Sequence, residues 1–535
     1  MDDLLRYLEK RNSALQSKKD NWSSLWQDSS DYILPRRGSM LGDRTPGERR
    51  GTLRYDATAE EANDMLSAAL ASMLTNPATI WFNLWVSDRK IKDMEDVKLF
   101  LEEAGRICLE EMNQSNFEPV THELYLDCPA FGTAIMFVGE GQPNERPLYF
   151  ESMHLGDCAI GENKYGRVDT LFRTFKWPAE KIFSEWGEAC PDMIKKQAKE
   201  TPDNEHTIMH AVYPRKEKTP GRNNMPFASV WTLWGDEKKI LEEGGFNEFP
   251  YIAVRWSKNS GECYGRGPGQ KAMPEIKTLN QMVRTVLRAG QKAVDPPLFL
   301  PNESMATRVI TSPSGISYYN PGADSEKIWT PPVGDTRLGL EMEEQRRDAI
   351  RRKFYNHVLD LKESPEMTAT EVIARVRQQQ RTMGPVLGRW KSDFLVPLID
   401  RVFMILLRAG KLPPVPDALI NQEIMAQYQS PIAKAQRLSE VEAGQQAVMY
   451  AAGLSQYDPA ALDPYDLPVI SEESGEMLGV PQHWIRSKSD QKKIAKGRDE
   501  MNKKRQQLLE AQAAVEAGKG VAEMENKAPG MLRAA

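Results

Sequence analysis

The feature that most constrains the fold of this chain is a pair of long, charged helical segments on either side of a stretch rich in Pro, Gly and Ser. Residues 266–294 repeat apolar side chains at helical spacing and end at an Asp-Pro-Pro sequence. Residues 295–336 contain only short apolar runs, which predicts a small compact β excursion. Residues 338–361 return to a helical pattern. The sequence therefore predicts two long helices that bracket a compact insertion.

The N-terminal part of the chain is predicted to be helical. Residues 2–34 keep an approximate helical period that Pro35 ends, and residues 58–74 form an unbroken apolar stripe. Thr58 and Glu61 have the spacing of a capping box, which predicts that the second helix begins there. Another helix is expected over 93–114.

The middle of the chain changes to strand-like segments. Between residues 130 and 256, several short runs rich in β-formers alternate with turns, and Pro178 opens one short helix. No strand–helix–strand series repeats there, so the strands are expected to be antiparallel. The predicted fold class is α+β, mainly helical.

The segment after the second long helix contains two proline breaks. Ser364-Pro365 ends that helix, and Thr368 with Glu371 repeats the capping-box spacing of a new one. A further helix is expected over 386–409, where Pro397 should produce a kink, because an interior proline removes a backbone hydrogen bond. A small helical module is expected over 417–486. Residues 487–535 are predicted to be a solvated helix or a disordered tail.

Composition excludes several classes of protein. The chain has 535 residues and a formal net charge of −6, so it is not expected to coat nucleic acid non-specifically through a basic surface. Its five cysteines form no CxxC pair, which favours free thiols in a reducing compartment. The most apolar run, Phe394 to Leu407, contains Asp400 and Arg401 and is too short for a bilayer span. No signal peptide is expected at the acidic N-terminus.

A search for catalytic motifs gives no candidate for an enzyme. The Gly-rich segment from Gly265 to Gly269 lacks the Lys-Ser/Thr ending of a nucleotide-binding loop, and it is expected to make the turn that begins the following helix. His206 and His210 lie four residues apart in a strand-like segment, so they are interpreted as strand histidines rather than metal ligands. Cys263 has no catalytic motif around it. The sequence thus predicts a structural or assembly protein with no cofactor and no metal.

Several separated motifs resemble the head-to-tail connector (portal) proteins of short-tailed, podovirus-type bacteriophages. They occur in family order over roughly residues 1–415. The matching blocks are Tyr55-Asp56 with Asn76-Pro77 and Trp81-Phe82, Phe131-Gly-Thr-Ala134, Tyr264-Gly-Arg-Gly-Pro-Gly269 with Asn280 and Asp295-Pro-Pro297, Met367-Thr-Ala-Thr-Glu371, and Pro397 with Leu412-Pro-Pro414.

The resemblance implies a portal fold with wing, stem, clip and crown regions, assembled as a ring of roughly twelve subunits around a central channel. Mapped onto this sequence, it gives eight regions. These are wing 1–265, stem helix 266–294, clip 295–336, stem helix 337–361, channel (tunnel) loop 362–368, wing helices 369–412, crown 413–486 and tail 487–535.

The resemblance also suggests which residues face the channel. The candidates in the channel loop are Lys362, Glu363, Ser364, Pro365, Glu366 and Met367, although the same loop could be an inert helix–helix turn. The candidate basic residues of the stem are Lys277, Arg284, Arg288, Lys292, Arg347 and Arg351. They could line the channel, or they could pair with acids of a neighbouring subunit, which is the favoured interpretation. The candidate acids are Glu343, Glu344 and Asp348.

The function implied is that of a portal through which double-stranded DNA is packaged into the procapsid and later ejected. The implied partners are further copies of the chain, DNA bound without sequence specificity, the terminase large subunit, major capsid and scaffolding proteins, tail adaptor or tube proteins and, optionally, internal core proteins, but no membrane. The implied location is a unique capsid vertex of the virion, and the bacterial host cytoplasm during assembly. The alternative is another phage structural protein, a tail adaptor or internal core component without a channel.

Overall fold

A computed structural model of the chain describes residues 2–42, 44–45, 47, 54–92, 94–141, 146–215, 225–235, 238–302, 308–319, 328–331, 337–359, 383–420, 422, 424–428, 431–455, 457–478, 480, 484, 486 and 488–527. In these residues the fold is a mixture of helices and strands in which helices predominate, as expected for a mainly helical α+β protein. Contacts divide the chain into two compact units. The first contains residues 1–87, 103–415 and 420–432, and the second contains residues 88–102, 416–419 and 433–535.

The chain begins with helices and then alternates helices and strands. The elements up to the middle of the chain are α1 (Asp2–Tyr32), α2 (Thr58–Leu74), β1 (Phe82–Val86), α3 (Arg89–Lys92), α4 (Glu95–Gln114), α5 (Phe117–Phe131), β2 (Thr133–Glu140), β3 (Leu148–Met153), β4 (Cys158–Glu162), β5 (Val168–Pro178), α6 (Ala179–Trp186), α7 (Asp192–Glu200), β6 (Glu205–Pro214), β7 (Phe227–Leu233), β8 (Lys239–Phe246) and β9 (Tyr251–Arg255). The later elements are α8 (Pro268–Val294), β10 (Leu298–Pro301), β11 (Ile316–Tyr319), α9 (Arg337–Lys353), α10 (Asn356–Leu359), α11 (383–390), α12 (Val396–Arg408), β12 (Ile424–Tyr428), α13 (Pro431–Leu454), α14 (Leu467–Leu478) and α15 (Lys488–Lys527).

Two antiparallel sheets form the middle of the chain, as predicted. One has three strands in the order β3-β2-β9, and the other has five in the order β4-β5-β6-β7-β8. Both faces of the five-stranded sheet are covered. Leu8 and Leu15 of α1 pack on one face, and Ile182 of α6 and Ile194 of α7 pack on the other. The sheet is therefore buried between helices that precede it and helices inserted within it.

The two long helices pack side by side and run in opposite directions. Near the end of α9, Lys353 contacts Glu275 in the first turns of α8, with 2.7 Å between Nζ and Oε2. Near the start of α9, Gly339 lies against Val286, toward the far end of α8. Strands β10 and β11 lie between the two helices in sequence, so the hairpin carries them at its tip. They pair in parallel, and Phe299 also bridges to Trp329.

Two local predictions, one about α2 and one about α9, are wrong. Thr58 does not cap α2 with its side chain; instead the Asp56 carboxylate accepts a hydrogen bond from the Thr58 backbone N–H at 2.9 Å. The helix predicted over 338–361 ends at Lys353, and a separate turn, α10, follows. Tyr355 between them has a φ of 63°, a left-handed conformation that stops the helical hydrogen-bond pattern.

The helix predicted over 386–409, with a kink at Pro397, is interrupted just before that proline. A π-helical turn at Lys391–Leu395 separates α11 from α12, and Pro397 lies in the first turn of α12. A π turn shifts the hydrogen-bonding pattern by one residue, so the missing N–H of Pro397 falls where a helix has no internal partner. The apolar run from Phe394 is a buried core helix rather than a surface or membrane segment.

The second unit is largely helical. It contains most of α13, then α14 and α15, which is 40 residues long. This agrees with the predicted helical module, and residues 488–527 form a helix. In the part of the chain that the structure describes, no helix is both long and apolar enough to cross a membrane.

Candidate functional site

The Gly-rich block before α8 packs directly against the corner between α5 and β2. A Cβ added to Gly265 would lie 2.4 Å from the carbonyl oxygen of Gly132, and one added to Gly267 would lie 2.2 Å from the carbonyl oxygen of Pro129. Gly132 itself has a φ of 77°, which side chains other than glycine rarely adopt. These glycines are therefore required for a backbone-to-backbone contact between two segments distant in sequence.

Hydrogen bonds also join the α5–β2 corner to the segment that precedes α8 and to its first turn. The Thr133 hydroxyl accepts from the backbone N–H of Gly265 at 2.8 Å, and the Gln270 amide donates to the carbonyl of Phe131 at 2.7 Å. The backbone N–H of Trp256 donates to the carbonyl of Gly132 at 3.0 Å. The prediction that this segment begins a helix is confirmed, since α8 begins at Pro268. The contact with Gly132 was not foreseen, because nothing in either segment alone indicates its partner.

A second junction joins the Tyr55-Asp56 block to both long helices. The Asn280 side-chain oxygen on α8 accepts hydrogen bonds from the backbone N–H groups of Tyr55 and Asp56, at 2.8 and 3.3 Å. The Asp56 carboxylate contacts Arg347 Nε on α9 at 3.0 Å. Burial raises the pKa of Asp56, but hydrogen bonds from Thr58 and Arg347 outweigh it, so the pKa lies below its usual value. The junction therefore fixes the base of the hairpin through an ionised carboxylate.

The candidate acids of α9 already have partners within the chain. Glu343, which is buried, and Glu344 both contact Arg347, at 3.1 and 3.3 Å. Glu344 and Asp348 contact Arg351, at 3.1 and 3.5 Å. Arg347 and Arg351 are thus held on their own helix by acids. Pairing of these acids with a neighbouring subunit stays a prediction.

The candidate basic residues of α8 fall into two groups. Lys277 contacts Asp28 of α1 at 2.7 Å, and the Arg284 guanidinium lies over the ring of Tyr55 at 5.8 Å. Arg288 is exposed and Lys292 is half-buried. Within the described residues, neither Arg288 nor Lys292 forms an ion pair. These two are therefore the candidate cations of α8 that the described part of the chain leaves available to DNA or to another subunit.

The predicted channel-loop residues, Lys362 to Met367, lie outside the described residues, as do Thr368 and Glu371 of the second capping box. The described chain approaches this segment through α10. The break at Tyr355, whose ring lies 6.2 Å from that of Trp256, sets the direction in which α10 leaves the hairpin.

Two buried arginines form ion-pair networks that sequence reasoning missed. Arg255 at the end of β9 contacts Asp393 of the π turn at 3.0 Å and also contacts Glu162 of β4. Arg401 of α12 donates to the carbonyl of Val138 at 2.7 Å and contacts Glu248 at 3.1 Å. Burial lowers the pKa of Arg401 to about 10 although Glu248 opposes the shift. The only sequence signal was a charged pair, Asp400-Arg401, within an apolar run.

The two strand histidines lie on β6, as predicted. His210 is buried, with one ring nitrogen 2.7 Å from the Tyr251 hydroxyl and the other 2.9 Å from the Ser229 hydroxyl. Its ring stacks on Trp231 at 3.8 Å. Burial lowers the pKa of His210 to about 3, and that of His154 to about 4. Over the described residues, no group of three or more His, Cys, Asp or Glu side chains is placed to hold a metal ion.

Comparison with known proteins assigns a family to this architecture. The family model described as bacteriophage head to tail connecting protein matches residues 5–485. The probable portal protein of Bordetella phage BPP-1 is 29 % identical over 493 residues, which cover 90 % of this chain and 88 % of that protein. The portal protein of Salmonella phage epsilon15 is 29 % identical over 543 residues, covering 98 % and 97 %.

These matches confirm the resemblance given by the separated motifs, and they support a portal function over that of a tail adaptor or internal core component. The family is one of virion structural proteins rather than enzymes. The corner at Gly132 and Gly265 and the junction at Asp56 and Asn280 lie within the matched region. The chain belongs to the family of bacteriophage head to tail connecting proteins.

Proposed function

We propose that the chain is the subunit of a ring of roughly twelve copies that conducts double-stranded DNA into the procapsid and later out of it. In this proposal, residues 1–265 and 369–412 form the wing, and residues 266–294 and 337–361 form the stem. Residues 295–336 form the clip, residues 362–368 the channel loop, residues 413–486 the crown and residues 487–535 the tail.

The observation that carries the proposal is the antiparallel hairpin of α8 and α9 with paired strands at its tip. Helix α8 has 27 residues, and its last buried residue is Val283, so residues 284–294 extend about 16 Å toward the tip at 1.5 Å per residue. The base is fixed by the contact of Asn280 with the Tyr55-Asp56 block and by Arg347. A rigid arm of this kind suits a stem that crosses a capsid wall and presents a clip outside it.

The proposed conduit is passive. Each phosphate contact adds affinity that depends on salt, and a moving duplex needs contacts that are weak and easily replaced. On α8 and α9, most candidate charges are satisfied within the chain, which leaves Arg288 and Lys292 as the candidate stem cations for DNA. In this proposal those two residues face the channel, and pairing with a neighbouring subunit is the alternative. The energy for packaging would come from a separate terminase.

The proposed partners follow from where each region would lie in the assembled particle. The clip would dock the terminase large subunit during packaging, in the host cytoplasm, and tail adaptor or tube proteins afterwards. The wing would contact the major capsid protein and the scaffolding protein at the unique vertex of the virion. The crown would face the packaged DNA and, where present, internal core proteins.

Electron microscopy of the purified chain, together with native mass spectrometry, tests the proposal. We expect closed rings with a central hole wide enough for a DNA duplex, and a mass of roughly twelve subunits. A monomer, or a closed particle without a hole, would contradict it and would favour the tail adaptor or core component. Adding double-stranded DNA should not produce tight sequence-independent binding at physiological salt, because a conduit must release its substrate.

A further inference from the structure

Helix α15 in the second unit presents a row of exposed apolar side chains at a constant spacing. Ile494, Met501 and Leu508 each follow the previous one by seven residues. Their exposed fractions are 36 %, 74 % and 63 %. The sequence continues the spacing at Val515. Apart from Leu509, which is 58 % exposed beside Leu508, the residues around Ile494, Met501 and Leu508 are mostly Lys, Arg, Gln and Glu, so the row is narrow.

A seven-residue spacing specifies what can cover such a row. Seven residues fall about 20° short of two full turns of a straight helix, so a strict repeat stays in contact only with another helix that winds around it. A globular core would instead need a broader apolar face, with side chains at three- and four-residue intervals. The row therefore fits one more helix of the same repeat, and Gly497, between Ile494 and Met501, leaves room for its close approach.

We propose that α15 pairs in parallel with the α15 of a second copy of this chain. In a parallel pair, the residue just before one core position faces the residue four positions after the same core position on the partner helix. Glu500 precedes Met501 and Arg505 follows it, so these opposite charges meet on both sides of the pair. Lys493 meets Arg498, which is unfavourable, but Lys493 already contacts Asp490 at 3.1 Å on its own helix.

One apolar residue per heptad makes the pair weak between free helices, because most parallel coiled coils use two. Copies held in one particle have a high effective concentration, which converts a weak contact into a populated one. The inference requires only that copies associate; it does not depend on DNA conduction or on the assignment of the stem. It places an interaction surface in the tail, a region for which the motifs gave no function.

Site-specific cross-linking of the full-length chain tests the pair. Single cysteines are introduced as Ile494→Cys, Met501→Cys and Leu508→Cys, and the assembled protein is oxidised mildly and run on a non-reducing gel. We expect each of the three to give a disulfide-linked dimer, well above the background of the unmodified chain. That background should be low, since four of the five native cysteines are buried and Cys263 is half-buried.

The matched control is Lys503→Cys, which lies on the opposite face of the same helix, two residues from Met501. We expect at least fivefold less dimer from it than from Met501→Cys. Equal cross-linking from both positions, or no dimer from any of the three core positions in an assembled particle, would overturn the proposal. Cross-linking at one core position but not at the other two would show an antiparallel or shifted contact, which also contradicts it. An intact ring without any cross-link would contradict the pairing of α15 but not the proposed portal function. Failure of one proposal can therefore be distinguished from failure of the other.

Discussion

The backbones of Gly132 and Gly265 lie so close together that neither residue has room for a Cβ atom. A Cβ on Gly132 would lie 2.3 Å from the carbonyl oxygen of Gly265, and the reverse substitution gives 2.4 Å. Two of the motifs that identify the family therefore contact each other, and each needs a glycine because of the other's backbone. Their shared property is the absence of side chains, which lets the start of α8 rest on the α5–β2 corner.

Gly132→Ala and Gly265→Ala are each expected to destabilise the first unit by about 3 kcal/mol or more, because each combines a steric clash with a backbone shift. At Gly132 the left-handed φ adds to the cost. Thermal unfolding followed by circular dichroism measures the effect. The control is Gly105→Ala within α4, where an added Cβ has no neighbour within 4 Å and alanine favours the helix. Equal melting temperatures for Gly132→Ala and the control would contradict the packing argument.

Arg347→Met is expected to cost about 2 kcal/mol at neutral pH, since it leaves the buried Glu343 and the Asp56 carboxylate without their cation. Adding Glu343→Gln should recover part of that loss, which a double-mutant cycle measures. Because its pKa is lowered, Asp56 contributes stability above pH 3.8 that is lost as the pH falls through its folded pKa. The penalty of Arg347→Met should therefore shrink below about pH 4. A penalty independent of pH and of Glu343 would argue against the ion-pair junction.

The double variant Arg288→Glu with Lys292→Glu is expected to assemble normally but to package DNA poorly. Neither residue contacts an acid within the described chain, so the folded subunit should be unaffected, whereas reversed charges in a channel would repel phosphate. The yield of filled heads should fall at least tenfold while ring formation stays constant. Lys199→Glu, at an exposed position of α7, is the control for added negative charge. Loss of rings with the double variant would instead support inter-subunit pairing.

Deletion of residues 362–368 is expected to leave ring assembly intact and to impair DNA retention. The proposed channel loop would hold the packaged duplex at the narrowest point of the conduit. Filled heads made with the deletion should lose DNA during purification, which nuclease sensitivity and buoyant density measure. Normal retention would show that the segment is only a turn between helices.

Stability is expected to fall with acidification between pH 6.5 and about pH 4, because two histidines are held neutral in the folded chain. The pKa of His210 is lowered to about 3 and that of His154 to about 4 by burial, whereas the unfolded chain binds these protons below pH 6.5. Each contributes stability above pH 6.5 that is lost at roughly 1.4 kcal/mol per pH unit as the pH falls. His210→Gln should lower the melting temperature at pH 7.5 yet flatten its decline toward pH 4.5. An unchanged pH profile would show that His210 does not titrate on unfolding.

Local signals predicted helices well where they are strong. The apolar stripe of residues 58–74, bounded by Asn76-Pro77, matches α2 residue for residue. The helix interruption near Pro397 lies just before it, in the π turn. The π turn and the left-handed Tyr355 escaped prediction because each results from packing against segments far away in sequence. The capping of α2 was assigned to Thr58 since its spacing to Glu61 fits, yet Asp56, two residues earlier, accepts the hydrogen bond.

The contacts that define the candidate site were the least predictable. Arg255 and Asp393 are 138 residues apart, and no spacing rule connects them. The same holds for Asn280 and Tyr55. Sequence motifs identified the family because each block is distinctive. The residues of these blocks are needed for contacts with other blocks that are distant in sequence. Composition helped mainly by excluding classes of protein.

The junction at Asp56 can form only late in the synthesis of the chain. Its partner Arg347 follows 291 residues later, which a bacterial ribosome adding about 5–20 residues per second produces only about 15–60 s after Asp56. Until then the Asp56 carboxylate lacks its cation, and the packing of α2 against α9 cannot form. Each copy therefore spends that interval without the ion pair that joins the Asp56 segment to its second long helix.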